Sequence, residues 1–495
     1  MKQLTNTGAK PIQKRQLLAI SVAASLVVVL FGLWATAEVQ GLTVPLALLL
    51  LTLTIIPLVV ALTRGTFDVF EPVHLISFFI AFYFAIRTLY LASGISDNPW
   101  VGFNSYEDAI PTAVGYTILG YLAFLAGYYS PLPSRIAGKG MPVAWRHLAG
   151  ASFSRVVTIF AVGFLSQATI LLYFGSRLWQ TGSEEENLPP YTLLALSNFV
   201  YYASGIAVVR IFRGGAPRKF LYLFWLALLP TTLAQSLIYG GRFFLIVFFV
   251  MVLAAYHYLR RRLSLTKVLV PTVIILVTVF PLLGFYRGMS GGKMGFFDRL
   301  KSTPDAISRL STKDISSMIV GGLMDRSHGI DSLALIIKFT PGLGEFKYGK
   351  DYLLVPAYAF VPRAVWPDKP ENPSVEFGLR YFANPIVTES TSLGQFHIGD
   401  LYRNFALPGI IVGMLLLGVF YRTVYLYLNP YKSKSELAIF LYTFFIIFVI
   451  QRFEVDIASM ATELLKAILF MVPTLWFMRK RDEKRSGSVL LVTPA

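Results

Sequence analysis

The stretch TVPLALLLLTLTIIPLVVALT, residues 43–63, contains no charged side chain and is long enough to cross a lipid bilayer as a helix. A helix needs about 20 apolar residues to span about 30 Å of hydrocarbon. Such runs recur along the 495-residue chain, in which 55% of the residues are hydrophobic. Because a soluble domain does not repeat runs of this length, the sequence predicts an all-α polytopic membrane protein.

The apolar runs predict about twelve transmembrane helices in one integral membrane domain, residues 1–495. The first run is longer than the apolar core of a signal peptide, and a second follows at once, so we do not expect cleavage there. The predicted spans lie near residues 17–37, 43–63, 73–93, 111–130, 156–175, 191–212, 220–238, 243–259, 267–286, 407–428, 436–452 and 458–478.

The basic residues occupy alternate loops between the predicted spans. The other short loops, such as EVQG at 38–41, are acidic or nearly uncharged. The positive-inside rule therefore places both termini in the cytoplasm. It also accounts for most of the net charge of +17, so no nucleic-acid partner is expected. The basic loop residues are Lys10, Lys14, Arg15, Arg64, Arg135, Lys139, Arg146, Arg213, Arg218, Lys219, residues 260–262, Lys432, Lys434 and the RKRDEKR run at 479–485.

One loop is far longer than the rest. Residues 287–406, between the ninth and tenth predicted spans, contain no convincing span. The derived orientation places this loop outside, in the periplasm of a bacterium. Long connections in a compact protein are usually functional, so we predict that the loop carries the functional site.

Two of the five histidines, His328 and His397, lie in this loop. The apolar spacing after Asp331 predicts a helix that ends at the TPG sequence, residues 340–342. Thr303 followed by Pro304 predicts another helix start. A histidine or a carboxylate can act as a general base. His328, oriented by Asp331, is the leading candidate and His397 the alternate, although a packed or surface histidine is an equal alternative.

Several cationic side chains lie near the predicted outer surface, where the positive-inside rule disfavours them. The guanidinium of arginine grips phosphate oxygens at two points, which suits a pyrophosphate. Snorkelling of each side chain to lipid head groups is the alternative. The candidate pyrophosphate- and glycan-binding residues are Arg242, Arg287, Arg326, Arg363, Lys369 and Arg403.

The segment FVPRAVWPDKP, residues 360–370, is stiff because each proline fixes its own backbone and restricts the residue before it. It can hold Arg363 and Lys369 at the membrane surface, or serve only as a rigid connector.

Arg87 is a different case, because it lies inside the third predicted span. Charges there are costly, so we expect Arg87 to face the bundle interior or to be paired.

The sequence resembles the bacterial oligosaccharide repeat-unit polymerases, also called O-antigen polymerases. The resemblance is carried by YGKDYLLVPAYAFVPRAVWPDKP, residues 348–370, and by TSLGQFHIGDLYRNFALPGIIVGMLLLGVFYR, residues 391–422. MDRSHGIDSLA, residues 324–334, fits the upstream part of the family. This chain departs from the family pattern after Asn404 and Phe405, where ALPG replaces the usual glycine.

The resemblance implies a GT-C-like membrane glycosyltransferase of the bacterial inner membrane that works at its periplasmic face. Its substrates would be polyprenyl-pyrophosphate-linked oligosaccharides, as donor and as acceptor, within the membrane lipid. Flippase and chain-length regulator proteins are further implied partners. No acidic metal cluster and no nucleotide-binding pattern is evident, so neither a metal nor another cofactor is expected. An O-antigen-ligase-type enzyme and a polysaccharide or lipid transporter remain alternatives.

Overall fold

The computed structural model of the protein describes most of the chain outside its two ends and several loops. The described residues are 39–93, 105–138, 140–141, 152–174, 191–214, 216–238, 242–288, 296–312, 327–358, 372–382, 393–428 and 435–479, with 319, 320, 324, 361, 365, 366, 368, 370 and 430.

The described residues form helices and no strands. In chain order the helices are α1 (Thr43–Thr63), α2 (Pro72–Ala92), α3 (Glu107–Tyr129), α4 (Leu132–Ala137), α5 (Phe153–Phe174), α6 (Tyr191–Ser197), α7 (Phe199–Arg213), α8 (Arg218–Leu237), α9 (Arg242–Leu259), α10 (Leu265–Gly288), α11 (Phe296–Ser308), α12 (Gly329–Phe339), α13 (Lys350–Tyr358), α14 (Pro373–Tyr381), α15 (Phe396–Leu428), α16 (Glu436–Glu454) and α17 (Ile457–Arg479).

Nine helical stretches in the described part of the chain are long and apolar enough to cross a membrane. They coincide with predicted spans, and α9 and α10 contain shorter apolar stretches at two more. The protein is therefore a polytopic helical membrane protein. The predicted span at 17–37 lies outside the described residues, so the count of twelve stays a prediction.

The chain forms two compact units, each assembled from separate segments. Unit 1 comprises Met1–Gly127, Ser327–Tyr348 and Val375–Leu417, and unit 2 comprises Tyr128–Arg326, Gly349–Ser374 and Gly418–Ala495. Parts of the predicted periplasmic loop occur in both. The predicted single membrane domain and the periplasmic position of the loop stay predictions.

In unit 1, glycines let α3 approach α15 closely. A Cβ atom added at Gly127 would lie 2.1 Å from the carbonyl oxygen of Leu415, and one at Gly120 would lie 2.7 Å from a methyl carbon of Ile410. Both distances are shorter than van der Waals contact, so a larger residue would force the backbone of α15 to move at Gly127 and the Ile410 side chain to move at Gly120. Small residues at helix contacts of this kind are common in membrane proteins.

Helix α15 is broken near its start. Phe405 and Ala406 have non-helical backbone angles, and Ala406 has a φ of 54°. The segment before the break folds back on the helix after it. A Cβ atom added at Gly409 would lie 2.4 Å from the Leu401 carbonyl oxygen, and one at Gly413 would lie 2.2 Å from Leu401 Cδ2. The prediction began this helix at 407, and the structure adds the helical segment from Phe396.

Unit 2 packs in a similar way. A Cβ atom added at Gly163 of α5 would lie 2.6 Å from the main-chain nitrogen of Val200 in α7. At the start of α16, buried Glu436 accepts from Arg213 at 2.9 Å and from Arg210 at 3.2 Å. These ion pairs fasten α7 to α16.

Within the predicted loop, one helix prediction is confirmed and another is wrong. Helix α12, Gly329–Phe339, ends where the TPG sequence predicted. The predicted start at Thr303 is wrong, because α11 begins at Phe296 and contains Pro304. The Thr303 hydroxyl donates back to the carbonyl of Arg299 at 2.7 Å, so it caps no helix start.

Candidate functional site

A buried ion pair joins two segments of unit 1. Arg87 Nε donates to Asp331 Oδ2 at 2.9 Å, and Arg87 Nη2 donates to Asp331 Oδ1 at 3.1 Å. Both side chains are fully buried. The expectation that the Arg87 charge is paired is confirmed, and its partner lies 244 residues away in sequence.

Tyr106, the residue immediately before α3, adds a hydrogen bond to this ion pair. Its hydroxyl donates to Asp331 Oδ1 at 2.6 Å. Burial, followed by the negative charge of Asp331, raises the pKa of the Tyr106 hydroxyl far above its ordinary value. Tyr106 therefore stays protonated and remains a donor. The carboxylate that we predicted to orient His328 is held by Arg87 and Tyr106.

The backbone of α2 explains how Arg87 reaches this position. Ala81–Ile86 form a π-helical turn immediately before Arg87. Turns of this kind change the direction of the side chains that follow and are frequent at functional sites. Helix α12 begins against the same turn, because a Cβ atom at Gly329 would lie 3.0 Å from the carbonyl oxygen of Tyr83. Glycine at this position lets the two backbones approach without displacing Tyr83 or Phe84.

The second cluster of unit 1 gathers three cations around Glu376. Lys347 Nζ donates to Glu376 Oε1 at 2.8 Å, and Arg380 donates to the same oxygen at 3.1 Å. Arg403, which is buried, donates to Glu376 Oε2 and also to Gln395 Oε1 at 3.2 Å. We call Lys347, Glu376, Arg380 and Arg403 the cation site.

The break in α15 positions this site. The main-chain N–H of Lys347 donates to the carbonyl of Arg403, and that of Tyr348 donates to the carbonyl of Asn404, both at 3.1 Å. Carbonyls at the end of a helical segment lack partners within the helix. These two hydrogen bonds therefore satisfy the helix end and hold Lys347 beside Arg403.

The cation site has a net positive charge. Burial would raise the pKa of the Glu376 carboxyl, but Arg403 and Lys347 outweigh burial and hold that pKa below its ordinary value of 4.5. Glu376 is therefore ionised at neutral pH, and its single charge balances only one of the three cations. A site of this kind attracts anions.

The two loop histidines lie in different surroundings. His328 immediately precedes α12 and is half-buried, and its ring meets Phe382 and Phe396 edge-on at 6.4 and 5.9 Å between centroids. His397 is fully buried in the first turn of α15. A base has to touch the substrate. Of the two, His328 has the more accessible position.

The structure describes no side chains for the other predicted site residues. Arg242 begins α9 and Arg287 lies in the last turn of α10, but their side chains lie outside the described part of the structure. Arg326, Arg363 and Lys369 also lie outside the described residues. Their predicted contacts with a pyrophosphate therefore stay predictions.

Sequence reasoning missed Lys347, Glu376, Arg380 and Gln395. One local signal was present, because Glu376 and Arg380 lie four residues apart, a spacing typical of helical ion pairs. The described residues bring no three metal-ligating side chains together. The expectation of a reaction without a metal stays a prediction.

Comparison with known proteins gives partial matches. A family described as a domain of unknown function (DUF8712) matches residues 192–430. The chain is similar to the O-antigen polymerases of Salmonella typhimurium and Salmonella typhi, with 32% identity to each over 100 residues. The match covers 19% of this chain and 23% of each relative, so it spans about a quarter of their length. No solved structure matches the chain.

Proposed function

We propose that the protein is a membrane glycosyltransferase that polymerises lipid-linked oligosaccharide repeat units for a surface polysaccharide. The observation that carries the proposal is the cation site of unit 1, in which three cations surround one carboxylate. The similarity to O-antigen polymerases supports the same reaction. The growing glycan would be transferred from polyprenyl pyrophosphate to a sugar hydroxyl of the next lipid-linked unit.

The chemistry assigns a role to the cation site. The bond between the first sugar carbon and the pyrophosphate oxygen breaks, and the lipid pyrophosphate leaves with the electron pair. Lys347, from a partly exposed position, and Arg403, from a buried one, supply the positive charge that stabilises the negative charge developing on it. Because their main chains are hydrogen-bonded to each other, little reorganisation is needed during the reaction.

The acceptor hydroxyl has to lose a proton as its oxygen bonds to the donor sugar. We propose that His328 accepts this proton as the general base, with His397 as the alternate. Arg87 and Tyr106 hold the carboxylate of Asp331 in the first turn of α12, three residues after His328. The predicted role of Asp331 in orienting His328 is part of this proposal. Arg242, Arg287, Arg326, Arg363 and Lys369 remain pyrophosphate- and glycan-binding residues proposed from the sequence.

The proposed location is the bacterial inner membrane, with both termini in the cytoplasm and the site facing the periplasm. The support is the alternation of basic loops in the sequence. Reporter fusions at Lys313 and at Arg261 are expected on opposite sides of the membrane. The same side for both fusions would contradict this topology.

The decisive test of the function is the length of the surface polysaccharide in a deletion strain. A polymerase predicts single repeat units on the surface in the deletion strain, and long chains again after complementation. A ligase would instead leave long chains on their lipid carrier, unattached to their final acceptor. A transporter would leave lipid-linked repeat units at the cytoplasmic face. Either of these two outcomes would overturn the proposal.

A further inference from the structure

Four aromatic rings of unit 1 form a continuous row beside the cation site. Tyr116 stacks on Tyr402 at 5.9 Å between ring centroids. Phe346 lies 6.2 Å from Tyr402 and 6.2 Å from Tyr348. We call Tyr116, Tyr402, Phe346 and Tyr348 the aromatic row.

The row is partly open to its surroundings. Tyr348 is 70% exposed, and the other three rings are half-buried. Tyr348 is nevertheless fixed, because its N–H donates to the carbonyl of Asn404 at 3.1 Å. It also has a φ of 49°, which is uncommon for a residue other than glycine. The main chain therefore holds an exposed ring at a defined place.

The row continues directly into the cation site. Tyr402 precedes Arg403 in sequence, and Tyr348 follows Lys347. The hydrogen bonds from residues 347 and 348 to residues 403 and 404 hold the segment that carries Tyr348 against the segment that carries Tyr402. A ligand whose anionic group lies at Arg403 and Lys347 would extend over these rings.

The chemistry of the row limits what that ligand can be. Its rings offer flat apolar faces, and three of the four also carry a hydroxyl. An amphipathic ligand with an apolar face and a hydrogen-bonding rim matches both features. A pyranose ring has this character, with C–H bonds on one face and hydroxyls at its edge. An acyl or prenyl chain would leave the hydroxyls unused.

We propose that the aromatic row is a glycan-binding subsite, on which a sugar ring of the lipid-linked oligosaccharide stacks next to the pyrophosphate. This inference rests on the proposed function for the identity of its ligand. It adds a binding site for the sugar itself, separate from the cations that hold the pyrophosphate.

A binding experiment without lipid or pyrophosphate tests the subsite. The probe is a set of oligosaccharides of one to three repeat units, released by mild acid from the surface polysaccharide of the producing strain. Their affinity for the full-length protein in lipid nanodiscs is measured by titration calorimetry. Tyr348→Leu and Tyr402→Leu are expected to weaken binding about tenfold, the size typical of one lost aromatic contact.

Two further variants separate stacking from membrane anchoring. Tyr348→Phe keeps a flat ring and is expected to retain most of the affinity. Tyr173, an exposed tyrosine of α5 in unit 2 at 76% exposure, provides the matched control, and Tyr173→Leu is expected to bind like the wild type. Leucine preserves an apolar anchor, so an anchoring role predicts normal affinity for Tyr348→Leu.

The outcomes distinguish this inference from the proposed function. Wild-type affinity of both leucine variants, or no oligosaccharide binding by the wild type, would overturn the subsite. Sugar binding that depends on the row, in a protein that does not extend chains, would preserve the subsite and overturn the polymerase proposal. Normal chain extension without row-dependent binding would overturn the subsite alone.

Discussion

The main-chain N–H of Lys347 donates to the carbonyl of Arg403 at 3.1 Å, and the side chains of the same two residues meet on Glu376. Lys347 lies in the segment after α12, and Arg403 lies just before the break in α15. Two distant parts of the chain are thus joined twice, once by the backbone and once by charge. The cation site depends on both connections. Substitutions that disturb the backbone of α15 and substitutions of the charged side chains therefore both test its geometry.

The fold-back of α15 is expected to depend on Leu401 and two glycines. Gly413→Ala places a methyl group 2.2 Å from Leu401 Cδ2, so shortening the Leu401 side chain should relieve the clash. We expect the Leu401→Ala, Gly413→Ala double variant to lose at least about 1 kcal/mol less than the sum of its single variants. Unfolding of the purified protein in detergent by denaturant measures this coupling.

Gly409 supplies the matched control. A Cβ atom there meets the Leu401 carbonyl oxygen at 2.4 Å, and that oxygen remains when Leu401 becomes alanine. Leu401→Ala should therefore not recover the stability that is lost in Gly409→Ala. Equal recovery of stability at both glycines, or at neither, would show that the Leu401 side chain does not pack against Gly413 as described.

Ala406 has a backbone conformation that suits glycine better. Its φ of 54° and ψ of −152° lie where a Cβ atom is strained. Ala406→Gly should raise the free energy of unfolding by about 1 kcal/mol, after allowance for the greater freedom of glycine in the unfolded chain. Ala306→Gly, within helix α11, should lower it. Denaturant unfolding of both variants is the measurement, and destabilisation by Ala406→Gly would contradict the backbone geometry.

The buried pair of Arg87 and Asp331 is expected to show strong coupling. Arg87→Met or Asp331→Leu alone leaves one buried charge uncompensated and should cost about 3–5 kcal/mol of stability. The double variant should recover most of this stability. About 1 kcal/mol should remain lost, because the Tyr106 hydroxyl loses its acceptor. Thermal unfolding checks this prediction. Additive losses would mean that the two charges do not stabilise each other.

The two loop histidines should differ in their effect on activity. His328→Ala is expected to abolish chain extension without lowering protein levels, because His328 is the proposed base. His397→Ala should act mainly on stability, since His397 is fully buried. The length of surface polysaccharide at matched expression measures the first effect, and the thermal unfolding temperature measures the second. Normal polymerisation by both variants would exclude histidine as the base.

Local patterns in the sequence predicted much of the fold. The apolar runs located the membrane helices, because the length of a spanning helix is set by the bilayer. The spacing after Asp331 and the TPG sequence likewise gave helix α12. Arg87 was identified as a charge that needs a partner, since an unpaired charge in hydrocarbon is costly.

The site itself depends on long-range contacts that no local pattern encodes. Lys347, Glu376 and Arg403 meet only because three separate segments fold together. Thr303 and Pro304 misled the prediction, because a proline can lie inside a helix as well as at its start. The replacement of the family's usual glycine by ALPG, beginning at Ala406, was visible in the sequence. The fold-back of α15 could not be predicted from it, because the close contacts of Gly409 and Gly413 with Leu401 arise only in the folded chain.

The most direct test of the central claim is the rate of chain extension on purified lipid-linked repeat units, with the protein in proteoliposomes. Arg403→Lys keeps the charge but loses the bidentate fork. It should slow extension about 100-fold, corresponding to about 3 kcal/mol in the barrier. Because Arg403 is buried and holds Glu376 and Gln395, the variant should also have a lower thermal unfolding temperature, so the rates are compared at a temperature where both proteins are folded. Arg380→Lys, at a more exposed cation of the same site, should extend chains at nearly the wild-type rate. A wild-type rate for Arg403→Lys would contradict the assignment of the cation site to the pyrophosphate.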